Sequence, residues 1–523
     1  MRQATLTTQP DQGNTAGSQS AASPCQLVAL PIELLDSILL YLSPVDLKAV
    51  SATCTHLYKH ATANVVWRHH VQENVPGARL SSPHPFPSYR RLYAVHEGKW
   101  FLPKYKIWFS DQDLTGKLLI ARYDQRHGCI EGYQLVAVSS NANIQHHWFG
   151  NVPVSVHAFE PRVSLHLDKP ILKFSAEPVQ EYRGASDLSL ALTGRFTPEV
   201  PLVVNENSDG LFYNFLLASP MHSDDILPKA SQPFPYGYLW PPPTIPAPHR
   251  VVGAPSFRVG PSHEQPHVAA SELPGGRSEA SDRIFRIRQW IEMPGSPPPG
   301  LMLGEGVTRI AQALTGQNTP PANIPWGPFV SLPSLTGIRL DERIITYSTL
   351  DPALYTPTPL KPWRGIWVGD YSAHGCEFLL VHQPDGPPVS DEELGLSRGE
   401  GEAEEDWELR QYNKRVYRGQ IEAIKLTGDP NIPRGEVTFS TEDLENGEYV
   451  GETEDGQFQG AWAVRSRGHV AGAGFIRDEF VESKLFLLSH DRLAQRWFGF
   501  NHVSFFERVD IDRFLDPEDP RNN

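Results

Sequence analysis

From Leu30 to Leu42 the sequence reads LPIELLDSILLYL, with Pro31, Leu34, Leu35, Ile38, Leu39 and Leu42 recurring at offsets of three and four. A strand would scatter these residues over both faces, whereas a helix gathers them into one stripe. Pro31 suits the first helical turn because its missing N–H has no intrahelical partner there, and Glu33 complements the positive end of the helix dipole. Ser43-Pro44-Val45-Asp46 repeats the signal for a second helix, with a capping residue, a proline and an acid. Leu47, Val50, Cys54 and Leu57, then Val65, Trp67 and Val71, extend the pattern into a small helical module over residues 25–75. A module of this size cannot bury every apolar side chain of its first helix, so part of that stripe is expected to meet a partner.

The segment LPIELLDSILLYLSPVDLKAVSATCTHLY resembles an F-box, through its Leu-Pro opening, its Ser-Pro-x-Asp-Leu hinge and the Cys and Leu that follow. The resemblance implies that Leu30, Pro31, Leu34, Leu35, Ile38, Leu39, Leu42, Pro44 and Leu47 form the surface and core through which a Skp-type adaptor, and through it a cullin, is bound.

After Pro83 the texture changes to short apolar runs separated by Gly, Pro, Asn and Asp. The 48 prolines and 41 glycines exceed average usage and favour antiparallel strands and turns over long helices. Lys117 to Tyr123 and Cys129 to Val138 flank a five-residue turn as a hairpin. In WRGIWVGDY, Trp363, Gly365, Trp367, Gly369 and Tyr371 share one face, and Cys376 to Val381 is the return strand. Glycines alternating with large rings admit a close approach, as at a barrel corner or in a binding groove. Further strands are expected at Glu436 to Ser440, Phe458 to Arg465, Lys484 to Leu488 and Trp497 to Arg508. The predicted fold class is α+β: a small helical module followed by a large antiparallel β-barrel-like domain.

The expected organisation is a disordered tail over 1–24, the helical module over 25–75 and a connecting segment over 76–116. The β-rich domain runs through 117–220, 283–384 and 409–512, with a short tail at 513–523. A proline-rich insertion over 221–282 and an acidic one over 385–408 are expected to be exposed and mobile.

WRGIWVGDYSAHGCEFLLV, IKLTGDPNIPRGEVTF and GHVAGAGF resemble the F-box-only receptors whose C-terminal domain is named for binding a D-type cyclin. IWFSDQDLTGKLLIARYDQRHGCIEGYQLVA and HAFEPRVSLHLDKPILKF resemble their fungal relatives. The resemblance implies a substrate receptor that captures an extended segment or chain terminus of a target protein. Candidate contacts are Trp363, Trp367, Tyr371, His374, Asp429, Asn431 and Trp462.

A net charge of −15 leaves no electrostatic footprint for nucleic acid. Cys25, Cys54, Cys129 and Cys376 are too scattered for a disulfide framework or a CxxC site. The first 24 residues lack the basic start and apolar core of a secretory signal, and no stretch is apolar for the length a membrane helix needs. These features point to a cytoplasmic or nuclear protein. No Walker loop, nucleophile elbow or HExxH occurs, and the pairs His69-His70 and His146-His147 lack metal-ligand spacing. Neither a catalytic group, a cofactor nor a metal is therefore expected. The competing readings are a barrel that carries a small apolar ligand, an interaction scaffold, and an enzyme with groups converging in one pocket.

Overall fold

The computed structural model describes residues 26–110, 115–139, 144–149, 152–157, 159–174, 199–201, 211–217, 284–293, 338–371, 374–451, 458–474, 476–519 and 521. The expected tail over 1–24 and the proline-rich stretch 221–282 lie outside the described residues.

Four short helices open the chain: α1 (Ile32–Leu39), α2 (Pro44–Ser51), α3 (Thr55–Ala61) and α4 (Asn64–Gln72). Pro31 stands at the N-cap, one position earlier than expected, and its carbonyl accepts from the Leu34 and Leu35 N–H groups. Ser43 Oγ caps α2 by accepting from the Asp46 N–H, and Cys54 Sγ does the same for Leu57 at α3. Asp36 Oδ1 lies 2.7 Å from His60 Nδ1, tying α1 to α3, and the Trp67 indole N–H donates to the Ala61 carbonyl. Leu35, Leu39, Leu47, Leu57, Ala61, Val66 and Val71 are buried together between these helices.

Two further helices, α5 (Tyr89–Val95) and α6 (Phe101–Tyr105), lead into ten strands: β1 (Ile107–Ser110), β2 (Leu118–Asp124), β3 (Cys129–Ser139), β4 (Ile144–Phe149), β5 (Val152–His157), β6 (Pro161–Phe174), β7 (Glu199–Pro201), β8 (Leu211–Leu217), β9 (Ile284–Met293) and β10 (Ile338–Thr349). Eight of them form an antiparallel sheet ordered β6-β3-β2-β1-β10-β9-β8-β7. The expected first hairpin is its β2–β3 pair, in register from Leu119↔Gln134 to Asp124↔Cys129. Every residue of β1 and β2 is buried, because the sheet is covered on both sides. Trp108, Leu119, Ala121 and Tyr123 face the helices, while Ile107, Phe109, Leu118 and Ile120 face the second β unit.

That second unit follows α7 (Pro352–Tyr355) and consists of β11 (Gly365–Asp370), β12 (Cys376–His382), α8 (Glu404–Val416), β13 (Glu422–Lys425), β14 (Val437–Thr441), β15 (Glu448–Tyr449), β16 (Trp462–Gly472), β17 (Ile476–Leu487), β18 (Arg492–Trp497) and β19 (His502–Arg508). Its order β11-β12-β13-β14-β16-β17-β18-β19 returns to β11 through the pairs Trp367↔Arg508 and Gly369↔Phe506, closing an eight-stranded antiparallel barrel. The α+β class is therefore the observed one. The barrel takes up the later strands, while the earlier ones form the separate open sheet between barrel and helices. The β4–β5 hairpin leaves that sheet and adds to the barrel beside β19.

Three local expectations change in the structure. The single strand expected from Trp497 to Arg508 is split by a 3-10 turn at Phe498–Phe500, where Asn501 takes a left-handed conformation (φ 49) and the chain reverses from β18 into β19. The strand expected from Phe458 begins only at Trp462; Phe458 stacks on Phe486 and Phe505 instead. The acidic stretch 385–408 does not remain a featureless insertion. It is exposed but folds into turns anchored by Asp391 to Gln411 and Arg415, and by Arg410 to Glu402, and it runs into α8. Glu404, Glu405 and Asp406 lie in the first turn of α8 and Lys414 and Arg415 in its last, the arrangement that complements a helix dipole.

The C-terminal segment fastens the layers together. Lys106 Nζ reaches Asp512 at 2.7 Å, Arg122 donates to the Phe514 carbonyl, and Arg513 donates to the Val163 carbonyl. Leu515 packs against Gly77 so closely that a Cβ on Gly77 (φ 78) would lie 2.8 Å from it. Among the described residues no helix is long and apolar enough to cross a membrane.

Candidate functional site

On α1 the apolar stripe divides. Leu35 and Leu39 are buried in the module's own core with Leu47, whereas Leu34 and Ile38 are 53% and 43% exposed. Leu34, Ile38 and Tyr41 stand at i, i+4 and i+7, one open ridge along the helix, and Pro31 is exposed beside them. Leu30, Leu42 and Pro44 are partly buried. Of the nine residues proposed from the sequence, Leu35, Leu39 and Leu47 are thus support for the ridge and not its surface, since a wholly buried side chain cannot reach a partner without unfolding. Tyr41, Ile32 and Val45, exposed by 92%, 57% and 71%, were missed; Tyr41 continues the spacing of Leu34 and Ile38 but lies past the end of α1, and Val45 belongs to α2.

The residues proposed for substrate capture separate between the two ends of the barrel. Trp363 and Trp367 are buried and join Leu379, Val381, Ala423, Phe439, Val464, Leu485, Leu493 and Phe506 in the lumen. The lumen is a packed core, which removes the reading of a carrier with an apolar ligand inside the barrel. Gly369 and Gly468 make this packing possible: a Cβ at Gly369 would lie 2.5 Å from the Phe506 ring, and one at Gly468 2.0 Å from Trp497. The alternation of glycines and rings read in the sequence is a packing device of barrel closure.

At one end of the barrel, Trp363, Tyr417 and Trp462 gather beneath α8, with ring centroids 5.6 Å apart for Trp363 and Tyr417 and 4.8 Å for Tyr417 and Trp462. The Trp462 indole N–H donates to the Leu444 carbonyl at 2.9 Å.

The opposite end carries charge. Lys425 Nζ lies 2.6 Å from Glu377 Oε2 and 2.6 Å from Asp429 Oδ2, all three being buried, and it sits 4.5 Å from the centre of the Tyr371 ring. Asp429 Oδ1 also accepts from the backbone N–H groups of Asn431 and Ile432, which shapes the Gly-Asp-Pro-Asn turn, while Asn431 Nδ2 donates to the Ala471 carbonyl. Burial alone would raise the Asp429 carboxyl, but Lys425 and hydrogen bonds from Glu377, Lys425 and Ile432 outweigh it and bring it down to about 2. Burial drives Glu377 well above the usual carboxylate range; Lys425 opposes that shift and Asp429 adds to it. Neither Glu377 oxygen meets a well-aligned donor. Burial thus favours the neutral form of Glu377, while Lys425 and the turn N–H groups favour the ionised form of Asp429. His374 is exposed on the turn between β11 and β12, and its backbone N–H donates to Tyr371. Tyr371, Asp429 and Asn431 therefore come together with Lys425 and Glu377, two residues that sequence reasoning missed. Their signal was a charged residue at an inward position of an apolar strand: Lys425 alternates with Ala423, and Glu377 with Leu379.

Among the described residues, Asp124, Cys129 and Glu131 form a buried group of metal-ligating types. Its carboxylates are already answered by Arg126 and His127 at Asp124 and by Arg122 and Tyr133 at Glu131. Burial, with Glu131 nearby, pushes the Cys129 thiol up to about 12, leaving it a poor ligand. His69 and His70 both lie near Glu73, and the side chains of His146 and His147 are outside the described residues.

Residues 27–73 match the family described as F-box-like, and residues 347–513 match the Cyclin D1 binding domain. The chain is also similar to Protein EXECUTER 2, chloroplastic, of Arabidopsis thaliana, 27% identical over 35% of this chain and 28% of that protein. Its counterpart of the same name from Oryza sativa subsp. japonica is 24% identical over 24% of this chain and 17% of that protein. The chain spans less than a third of the length of these curated relatives.

Proposed function

We propose that this protein is the substrate-recognition subunit of a Skp/cullin/F-box ubiquitin ligase. The F-box-like domain suggests a receptor role, and the Cyclin D1 binding domain suggests that the barrel engages a protein. The observation that carries the reading is the open ridge of Leu34, Ile38 and Tyr41, held in place by the buried Leu35, Leu39 and Leu47. Each aliphatic side chain covered in a complex contributes roughly 1.5–3 kcal/mol, enough for two or three of them to anchor an adaptor. In this reading the adaptor covers the ridge and links the chain to a cullin. The target binds the barrel by an extended segment or chain terminus, with the exposed His374 and the partly buried Asn431 as the polar anchors and the buried Lys425 cluster holding the Asn431 turn in place. The protein contributes no reacting group; it raises the effective concentration of target lysines beside the ubiquitin carrier, in the cytoplasm or nucleus.

Co-purification with a Skp-type adaptor tests this. The full chain retains the adaptor, and a Leu34→Asp, Ile38→Asp variant with an unchanged melting profile loses it. Failure of the unaltered chain to bind would overturn the assignment.

A further inference from the structure

The end of the barrel covered by α8 carries an open groove that neither the adaptor surface nor the lumen uses. It encloses about 310 Å³ between α8 and the β15–β16 edge, within the range of roughly 300–1,000 Å³ typical of ligand sites. Trp462 and Tyr449, with ring centroids 4.8 Å apart and planes at 81°, line it together with Tyr417, and Leu409 and Tyr449 are 57% and 60% exposed at its mouth. Asp406 and Glu445 stand on its rim.

The segments flanking this groove are mostly acidic. Residues 385–416, which comprise α8 and the stretch leading into it, carry ten acidic and four basic side chains, and residues 442–448 on the facing side carry four acidic and no basic ones, Glu448 pairing with Lys484. Two bases line the groove, but both are engaged. Arg410 is held by Glu402 and stacks on Trp407, and Lys414 makes a loose 3.4 Å pair with Glu445 that an incoming cation can replace. Among the described residues Asp406 has no ion-pair partner. An aromatic floor under an acidic rim attracts a cation twice, through the ring face and through the carboxylates, and repels an acidic partner.

We propose that this groove docks a short basic segment of a partner protein, one arginine or lysine side chain lying against Trp462 and Tyr449 with its charge between Asp406 and Glu445. The docking does not depend on the ligase reading, because the isolated chain performs it. The acidic field around the groove steers such segments to the barrel.

The test is fluorescence anisotropy with the full chain and three labelled pentapeptides, Gly-Arg-Lys-Arg-Gly, Gly-Glu-Asp-Glu-Gly and Gly-Ser-Ser-Ser-Gly. The basic peptide binds saturably, more weakly as salt rises, and the other two do not. An Asp406→Lys, Glu445→Lys variant weakens its binding at least tenfold. A Glu33→Lys, Glu97→Lys variant, with the same change in net charge on the distant helical layer, leaves it within twofold. Leu409→Ser weakens it without any change in charge. Absence of saturable binding, equal binding of the acidic peptide, or equal losses in the two charge-reversed variants would overturn the proposal.

Discussion

Glu377 and Lys425 face each other from β12 and β13 with Oε2 and Nζ 2.6 Å apart, and each side chain is at most 3% exposed. Two full charges this deeply buried lose several kcal/mol of hydration each, and Asp429 adds a third ionisable group. Burial pushes the Glu377 carboxyl up and so favours its neutral form, which eases that cost. Asp429, already accepting from two backbone N–H groups and facing Lys425, is held low and is the better anion.

Glu377→Gln should therefore be nearly neutral for stability at pH 7, within about 1 kcal/mol, because the amide imitates the neutral form that burial favours. Asp429→Asn and Lys425→Met each strand a buried charge and should cost about 3–5 kcal/mol. Urea unfolding followed by tryptophan fluorescence reads all three, and a large loss in Glu377→Gln would show the proton to be elsewhere.

The two faces of α1 should separate binding from folding. Leu39→Ala removes a core side chain and should destabilise by about 2–5 kcal/mol. Leu34→Asp and Ile38→Asp, at exposed positions, should change stability by less than about 0.5 kcal/mol while abolishing adaptor capture. Thermal melting and co-purification run on the same samples give both readings.

His96 should make the fold sensitive to mild acid. Burial, reinforced by Lys99, lowers its imidazole to about 4 against the opposing hydrogen bond to the Gly128 carbonyl, and Nδ1 has no hydrogen-bond partner. Below pH 6.5 the unfolded chain takes up a proton that the folded one refuses until about pH 4. The stabilisation from a neutral His96 is thus complete above pH 6.5 and is lost as the pH falls through that window, by about 3 kcal/mol in all. In His96→Gln the pH dependence of the unfolding free energy between pH 6.5 and 4 should flatten by nearly one proton relative to the parent.

Gly77→Ala tests the C-terminal fastening. The left-handed backbone there costs an alanine about 1–2 kcal/mol, and the new Cβ must displace Leu515. The variant should show faster proteolysis of the segment after Val509 before any loss of the barrel's cooperative melt.

Much of the fold was legible because its signals are local. The stripe on α1, the Ser43 cap and the β2–β3 and β11–β12 hairpins each depend on residues close together in the chain. The separation of the strands into a two-sided sheet and a closed barrel was not legible, since it depends on pairings such as Phe109↔Ser348 that span hundreds of residues. The candidate site was half legible for the same reason. Tyr371 and Asp429 could be picked out as an aromatic and a turn residue, but alternation alone did not reveal that Lys425 and Glu377 close around them. Trp363 and Trp367 were overvalued as contacts because a tryptophan beside a glycine reads the same whether the ring fills a groove or a lumen.

The contacts of Asp512, Phe514 and Leu515 with Lys106, Arg122 and Gly77 have a temporal consequence. On the ribosome these three residues emerge after every element they touch, so the helical module and central sheet leave the exit tunnel with their buckle still unmade. Until they arrive, the helical module and the sheet lack the ties that Lys106, Arg122 and Gly77 make to the segment after the barrel.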